Sequence, residues 1–190
     1  MKLPLAALAL CLAALPAVAQ EEFDLDGTVA MCMSCHGDDG VPVAPDFPVI
    51  AGQQYFYIFT QLRDFGAGRR ENDIMTPISA DLSRDQAKMV AEAIAAMPWP
   101  MIPAEAQEGD RQISETAFTA GQCSACHGKW EGDSRIPRLA GQQADYLIKT
   151  MLDLKHKVRA NAPDISSIMV DMEDAQIEAV GRYLASVTLQ

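Results

Sequence analysis

Basic residues are scarce in this sequence of 190 residues: 15 lysines and arginines stand against 26 aspartates and glutamates, for a formal net charge of −11 at pH 7. A nucleic-acid-binding protein needs a basic face to neutralise phosphates, and the sequence contains no basic stripe. We therefore expect no nucleic-acid partner. The acidic excess favours protein partners that present a basic docking face.

Long apolar segments are equally rare, and the amino-terminal stretch MKLPLAALALCLAALPAVAQ is the one candidate. A lysine precedes a short apolar run that ends in small residues at Ala17 to Ala19, which is typical of a secretory signal peptide. The run is short for a membrane helix, which needs about 20 apolar residues. We expect residues 1–19 to be a cleaved signal peptide that removes Cys11, and the mature protein to lie in a bacterial periplasm.

No segment alternates apolar and polar residues as a half-buried β-strand would. Instead, apolar residues after Ser83 recur at helical spacing, and Ser83 with Gln86 has the pattern of a capping box that begins a helix. The same spacing predicts helices at 55–65, at 146–154 and around 177–184. The sequence therefore predicts an all-α fold of short helices and long loops.

The chain contains an internal repeat. FPVIAGQQYFYIFTQL, from Phe47, matches IPRLAGQQADYLIKTML, from Ile136, and both copies contain Ala-Gly-Gln-Gln. The offset is 91 residues at the cysteines and 89 to 90 further along. This period is too long for a solenoid unit and fits a duplicated small domain.

Prolines separate the two copies. Pro98, Pro100 and Pro103 exclude a continuous helix between them and favour an extended connection. We expect the boundary there. The predicted organisation is a first domain at 20–97, a Pro-rich linker at 98–110 and a second domain at 111–190.

Each copy contains the pattern Cys-x-x-Cys-His, formed by Cys32, Cys35 and His36 in the first and by Cys123, Cys126 and His127 in the second. A zinc site of four cysteines would leave both histidines unexplained, and 87 residues separate the pairs. A thioredoxin-type disulfide would need a strand before it, and none is predicted. Covalent c-type haem explains every member of the pattern, because two cysteines within one helical turn can bond the porphyrin vinyl groups while the adjacent histidine ligates iron. The sequence therefore predicts two haem c groups.

Prolines follow both histidines at a similar distance, with Pro48 twelve residues after His36 and Pro137 ten residues after His127. An iron-bound histidine usually donates its other ring N–H to a carbonyl or a carboxylate. We expect the two proline carbonyls to accept these hydrogen bonds.

The ligand opposite each histidine differs between the copies. Met75, in a polar loop before the last helix of the first copy, is the predicted sixth ligand, because a thioether favours ferrous iron and raises the reduction potential. In the second copy Ile165 occupies the aligned position and cannot ligate iron. Met169 is the favoured substitute; the alternatives are Met172, His156 or an open iron.

Other repeated or charged residues have less certain roles. Arg69, Arg70 and Arg159 could pair with haem propionates, since guanidinium suits carboxylates, and surface charge explains them equally well. Trp99 and Trp130 are interpreted as packing residues. Four glutamines recur in the two copies and are interpreted as helix openers: Gln53, Gln54, Gln142 and Gln143.

With its two Cys-x-x-Cys-His motifs, its twin Ala-Gly-Gln-Gln segments and Met75 before the last helix of the first copy, the sequence resembles the dihaem cytochrome c4 family over Glu22 to Gln190. The resemblance implies two tandem class I cytochrome c domains related by a pseudo-twofold axis, with haem propionates facing each other across the interface. It also implies a periplasmic shuttle that passes single electrons towards terminal oxidases or reductases.

The expected function is electron transfer without covalent change in a substrate, so the chain is not expected to be an enzyme. Expected partners are redox proteins: a membrane quinol-oxidising complex, a terminal oxidase or reductase, or a dehydrogenase, with peripheral membrane association as a further possibility. Two alternatives stay open. One is a dihaem subunit of a periplasmic dehydrogenase, such as a sulfide-oxidising flavoprotein; the other is a haem enzyme with an open second iron.

Overall fold

The computed structural model describes residues 22–189, and the expected signal peptide with its cleavage after Ala19 lies outside that range. In chain order the helices are α1 (Leu25–His36), α2 (Tyr55–Gly66), α3 (Met75–Ala80), α4 (Arg84–Ala95), α5 (Asp110–Gly121), α6 (Ser124–His127), α7 (Ala144–Lys155), α8 (Pro163–Met169) and α9 (Asp174–Ser186). Between residues 22 and 189 the extended pairing is limited to an isolated bridge joining Asp133 and Ile136. The predicted all-α fold is confirmed.

The start of α4 confirms the predicted capping box. The Ser83 hydroxyl accepts from the Gln86 N–H at 3.3 Å, and the Ser83 N–H donates to the Gln86 side-chain oxygen at 2.8 Å. At the start of α9, Glu173 and Gln176 form the equivalent box. Both last helices therefore begin at an offset of 90 residues.

Each half of the chain is stabilised by an apolar cluster of its own. In the first, α2 and α4 contribute residues such as Leu62 and Ile94. In the second, α7 and α9 contribute residues such as Leu147 and Ile177. Full burial of one such side chain stabilises a fold by about 1.5–3 kcal/mol. Each half thus has a core of its own.

The two Ala-Gly-Gln-Gln segments form matching turns. Gly52 has φ +67° and Gly141 has φ +70°, a left-handed conformation that glycine adopts without steric cost. The Gly52 N–H donates to the Ile94 carbonyl and the Gly141 N–H to the Leu184 carbonyl, each at 3.0 Å. The turns therefore tie each loop to the end of its own last helix and set the direction of the glutamines that follow.

The segment between the halves contains no helix from Pro98 to Gln107, in agreement with its prolines. The Arg138 guanidinium lies over the Trp99 ring at 5.0 Å, so this linker tryptophan packs against the second half. Helix α5 begins at Asp110, the last residue of the expected linker. The domain bounds themselves remain a prediction.

Within residues 22–189, none of the helices combines the length and the apolar character that crossing a bilayer requires.

Candidate functional site

The first Cys-x-x-Cys-His motif occupies the last turn of α1. Asp24 caps this helix, because its carboxylate accepts from the Gly27 N–H at 2.9 Å. Cys32 and Cys35 are free thiols one helical turn apart, and His36 is the final residue of the helix. The chain then turns at Gly37, whose φ is +93°. The helix thus presents both sulfurs and the imidazole together.

The imidazole of His36 is buried and oriented by the predicted proline. Its Nδ1 lies 2.8 Å from the Pro48 carbonyl oxygen, which only accepts, so Nδ1 carries the proton. Burial lowers the pKa of His36, although the Pro48 carbonyl opposes this shift, and the ring is neutral at pH 7. A neutral imidazole protonated on Nδ1 leaves Nε2 with a lone pair for a metal.

The second motif has the same chemistry on a different local structure. Helix α5 ends at Gly121, Gln122 adopts φ +50°, and the motif lies on the four-residue helix α6. The Nδ1 of His127 lies 3.3 Å from the Pro137 carbonyl oxygen, which confirms the second predicted bond at a longer distance. Burial also lowers the pKa of His127.

On the distal side of the first half, Asn72 fixes the start of α3. Its side-chain oxygen accepts from the N–H groups of Ile74, at 3.0 Å, and Met75, at 2.8 Å. Met75 is the first residue of α3 and is partly buried against the first core cluster, so the prediction that it lies in a loop is wrong. The backbone at Met75 is therefore held in place independently of any ligand.

The second half differs at this position. At the offset of 90 residues, Ile165 stands at the place of Met75, and Met169 stands at the place of the buried Ser79. Met169 is 8% exposed and belongs to the second core cluster. Met172 packs partly buried against that cluster, whereas His156 is exposed just after α7.

A polar cluster joins the halves. The Arg70 guanidinium donates to the Tyr146 hydroxyl at 3.1 Å, and the repeat-related Arg159 donates to the Tyr57 hydroxyl at 3.4 Å. Burial would raise the pKa of Tyr146, but the two guanidinium groups lower it below its ordinary value. Two arginines from opposite halves thus meet near the pseudo-twofold axis. Arg69 instead pairs with Asp64 at 2.8 Å and stays half exposed.

Gln54 and Gln143 directly precede α2 and α7, as expected of helix openers, but the sequence did not predict the role of Gln53 and Gln142. Gln53 and Gln142 are 4% and 3% exposed, and their side chains bond to the backbone of the opposite half. Gln54 also crosses, donating to the Glu131 carbonyl at 3.0 Å. The repetition of Ala-Gly-Gln-Gln was the available signal, since a residue that merely opens a helix need not be glutamine twice.

The donor set fits a haem c in each half. The four motif cysteines are free thiols. The imidazole of His36 is buried and that of His127 is half-buried, both are neutral, and both Nδ1 atoms are already bound to carbonyls. In addition, the buried Nε of Arg138 has no partner among the described residues. A haem propionate has the charge and geometry that such a group would pair with.

A helical chain with two copies of this arrangement of two free thiols and a carbonyl-bound histidine belongs to the c-type cytochromes with two haems. The chain is 32% identical to cytochrome c4 of Thiocapsa roseopersicina, over 83% of this chain and 88% of the relative. It is 36% identical to the thiosulfate dehydrogenase electron acceptor of Stutzerimonas stutzeri, over 82% and 78%. The crystal structure of reduced recombinant cytochrome c4 from Pseudomonas stutzeri matches with a TM-score of 0.77 at 28% identity, over 86% of this chain and 97% of that one. No family model matches the chain.

These similarities show that the chain belongs to the cytochrome c4 family. It is therefore a dihaem electron carrier with two class I cytochrome c domains and two covalently bound haem c groups. The family resemblance, the fold and the cofactor expected from the sequence are confirmed, and redox proteins are its partners.

Proposed function

We propose that this protein is a periplasmic carrier of single electrons, with one haem attached through Cys32 and Cys35 and the other through Cys123 and Cys126. His36 and His127 are the proximal ligands in this proposal. The observation that carries it is the pair of imidazoles, His36 buried and His127 half-buried, each bound at Nδ1 by a proline carbonyl beside two free thiols. When bound, each haem supplies an iron that alternates between the ferrous and ferric states.

The protein's own residues allow the iron to alternate between the ferrous and ferric states and limit its reaction with water or small molecules. The proline carbonyls fix the tautomer and the plane of each imidazole, which keeps the ligand geometry the same in both oxidation states. The apolar clusters, which Met75 contacts in the first half and to which Met169 belongs in the second, exclude water and limit access of small molecules. The proposed role of the protein is therefore transfer of electrons between partner proteins.

Met75 is the proposed sixth ligand of the first haem, and the bond from its N–H to Asn72 supports this assignment. In the second half Met169 remains the proposed ligand, because it is the buried methionine of α8. His156 is exposed and Met172 lies beyond the end of α8, so both fit less well. A visible spectrum with redox titration tests both assignments by counting haems with a sulfur-to-iron charge-transfer band.

The proposed direction of flow is from an oxidising enzyme or a quinol-oxidising complex towards a terminal oxidase or reductase. The acidic balance of the chain supports docking on basic surfaces of such partners. Because electrostatic steering is screened by salt, electron transfer with a basic partner should slow as ionic strength rises. A rate independent of salt would argue against this docking mode.

A second candidate function is favoured by one comparison. A relative with 36% identity is named a thiosulfate dehydrogenase electron acceptor. The corresponding proposal is that a sulfur-compound dehydrogenase reduces this cytochrome directly. Stopped-flow mixing of the oxidised cytochrome with a thiosulfate dehydrogenase and thiosulfate should reduce both haems. If reduction requires an added mediator, this second candidate is wrong.

The proposed compartment follows from the expected signal peptide. Periplasmic export would give a mature protein that begins at Gln20, and the intact mass of protein recovered from the periplasm measures this directly. Peripheral membrane association is part of the same proposal. It predicts partial recovery with membranes at low salt and release by a salt wash.

A further inference from the structure

A reciprocal pair of glutamine contacts links the two halves. The Gln142 amide accepts from the Val49 N–H at 2.7 Å and donates to the Val49 carbonyl at 2.9 Å. The Gln53 amide accepts from the Arg138 N–H at 2.8 Å and donates to the Arg138 carbonyl at 3.0 Å. Because Val49 and Arg138 are related by the repeat offset of 89 residues, the two contacts are equivalent under the pseudo-twofold. We call them the glutamine clasps.

Each clasp binds the peptide group that orients a proximal histidine. The Val49 N–H and the Pro48 carbonyl belong to one planar peptide unit. Its oxygen accepts from His36 at 2.8 Å, while its N–H donates to Gln142 of the other half. The unit that joins Pro137 to Arg138 has the same two bonds, to His127 and to Gln53.

Such a chain of hydrogen bonds transmits polarisation as well as position. Donation by the N–H of a peptide makes its carbonyl a better acceptor, by perhaps 10–30% per bond in condensed-phase estimates. A stronger acceptor at Nδ1 makes the imidazole a more basic ligand, which favours ferric iron and lowers the reduction potential. The burial of Gln53, Gln142 and Val49 strengthens this coupling, because water does not screen it.

We infer that Gln142 is a positioning residue for His36, and Gln53 for His127, so that each half tunes the proximal ligand of the other half's haem. The inference rests on the proposed ligation of iron by the two histidines. The two chains of bonds are unequal: the bond from histidine to proline is 2.8 Å in the first half and 3.3 Å in the second. Loss of Gln142 should therefore have the larger effect.

The test uses the full haem-loaded protein in the ferrous state with ¹⁵N-labelled histidine. The chain has three histidines, so few ring N–H signals appear, and His156→Gln removes one of them. Ring-current-shifted signals from His36 and His127 in the parent protein establish ligation before any variant is compared. Their absence would overturn the proposed ligation, independently of the clasp.

The decisive variants are Gln142→Met and Gln53→Met, which keep the side-chain length and remove both bonds to the opposite half. Each also removes the bond from the N–H of the following glutamine in its own half. Gln142→Met should move the His36 ring N–H upfield, speed its exchange with solvent and raise the midpoint potential of the first haem, leaving His127 unchanged. Gln53→Met should have the same effects on the His127 signal and on the second haem, with a smaller shift, and should leave His36 unchanged. The matched control is Gln54→Met, which removes an interdomain bond to the Glu131 carbonyl without touching a proline peptide. It should leave both signals in place.

Gln142→Glu keeps the inference testable if the methionine variant fails to assemble. This variant retains an oxygen for the Val49 N–H, so the potential of the first haem should stay at or below that of the parent. The inference is overturned if Gln142→Met shifts the potentials of both haems equally, or that of the second haem alone. It is also overturned if Gln54→Met gives the same shifts of potential and of the ring N–H signals. Each of those results would make the clasps ordinary interface packing.

Discussion

In the first half Asn72 turns its side chain to the N–H groups of Ile74 and Met75, whereas its counterpart Asn161 turns away from the distal segment. The Asn161 amide instead donates across the interface to Gln61 at 3.1 Å and to Asp64 at 2.6 Å. The two copies thus use the same residue for different purposes. The first stabilises the backbone at the proposed ligand, and the second adds to the contact between the halves.

The proximal sides diverge much less. Both histidines are bound to a proline carbonyl, His36 buried and His127 half-buried, although α1 contains its motif and α5 stops before it. The proximal arrangement is therefore shared by the two halves, while the segment that contains the proposed sixth ligand differs. The two halves thus keep the same proximal bond, although the proposed sixth ligands, Met75 and Met169, lie at positions that are not equivalent in the repeat.

The largest expected effect comes from removing one pair of cysteines. Replacing Cys32 and Cys35 by serine should halve the haem content, because thioether attachment in the second half does not involve them. The variant at Cys123 and Cys126 is the matched control and should lose the other haem. Intact mass spectrometry and haem staining after denaturing electrophoresis measure the change. Two remaining haems in either variant would contradict the attachment sites.

The second prediction tests the proposed sixth ligands of the two haems. Met75→Ala should remove the sulfur-to-iron band of the first haem and lower its potential, since axial ligands set haem potentials over a range of roughly 0.8 V. Met169→Leu should do the same for the second haem at a stability cost below about 1.5 kcal/mol, because it nearly conserves volume.

Met151→Leu is the control for that experiment, since Met151 is equally buried in the same cluster. It should leave both spectra unchanged. If Met169→Leu also leaves them unchanged, Met169 is a core residue. Rapid carbon monoxide binding to the reduced parent protein at one haem would then point to an open iron.

A third prediction compares the two glycine turns. A Cβ on Gly52 would lie 2.7 Å from the Trp99 backbone nitrogen, whereas on Gly141 the nearest atom would be the Trp99 ring nitrogen at 3.2 Å. Gly52→Ala combines left-handed strain with a backbone clash and should lower the free energy of unfolding by about 2–4 kcal/mol. Gly141→Ala should cost about 1–2 kcal/mol. Denaturant titration would contradict this account if the order were reversed.

The last prediction concerns an ion pair in the second half. Asp110 is 3% exposed and accepts two bonds from Arg182, both at 2.9 Å. Hydrogen bonding to Arg182 holds the pKa of Asp110 below its ordinary value. Asp110→Asn should lower the free energy of unfolding at pH 7 by about 1.5–3 kcal/mol.

The pH dependence of that variant has a definite sign. A lowered folded-state pKa means that the carboxylate stabilises the fold above the unfolded pKa of about 3.9, and that this contribution is lost as pH falls through the folded pKa. The variant should therefore lose less stability than the parent between pH 5 and the folded pKa. Equal acid sensitivity of the two proteins would contradict the assignment. Glu115→Gln, in an exposed pair with Arg111, is the control and should change little.

The sequence was sufficient for what depends on local chemistry. Spacing located α2, α4, α7 and α9, the Ser83 capping box and the proline acceptors, because each involves residues close in the chain or a motif with fixed geometry. It did not locate the helices α3, α5 and α8. The role of Gln53 and Gln142 could not be found this way, since their partners lie 85 and 93 residues away. Nor does the sequence determine where Asn161 points, because an asparagine can cap its own turn or cross an interface.

The central claim is that each half of the mature chain holds its own thioether-linked haem on the adjacent histidine. Intact mass spectrometry of the mature protein, combined with the visible spectrum of the same sample, measures this most directly. The account predicts the mass of the chain plus two haems and a low-spin c-type spectrum in both oxidation states. A mature protein that carries one haem or none, in cells that attach haem c to other proteins, would contradict it.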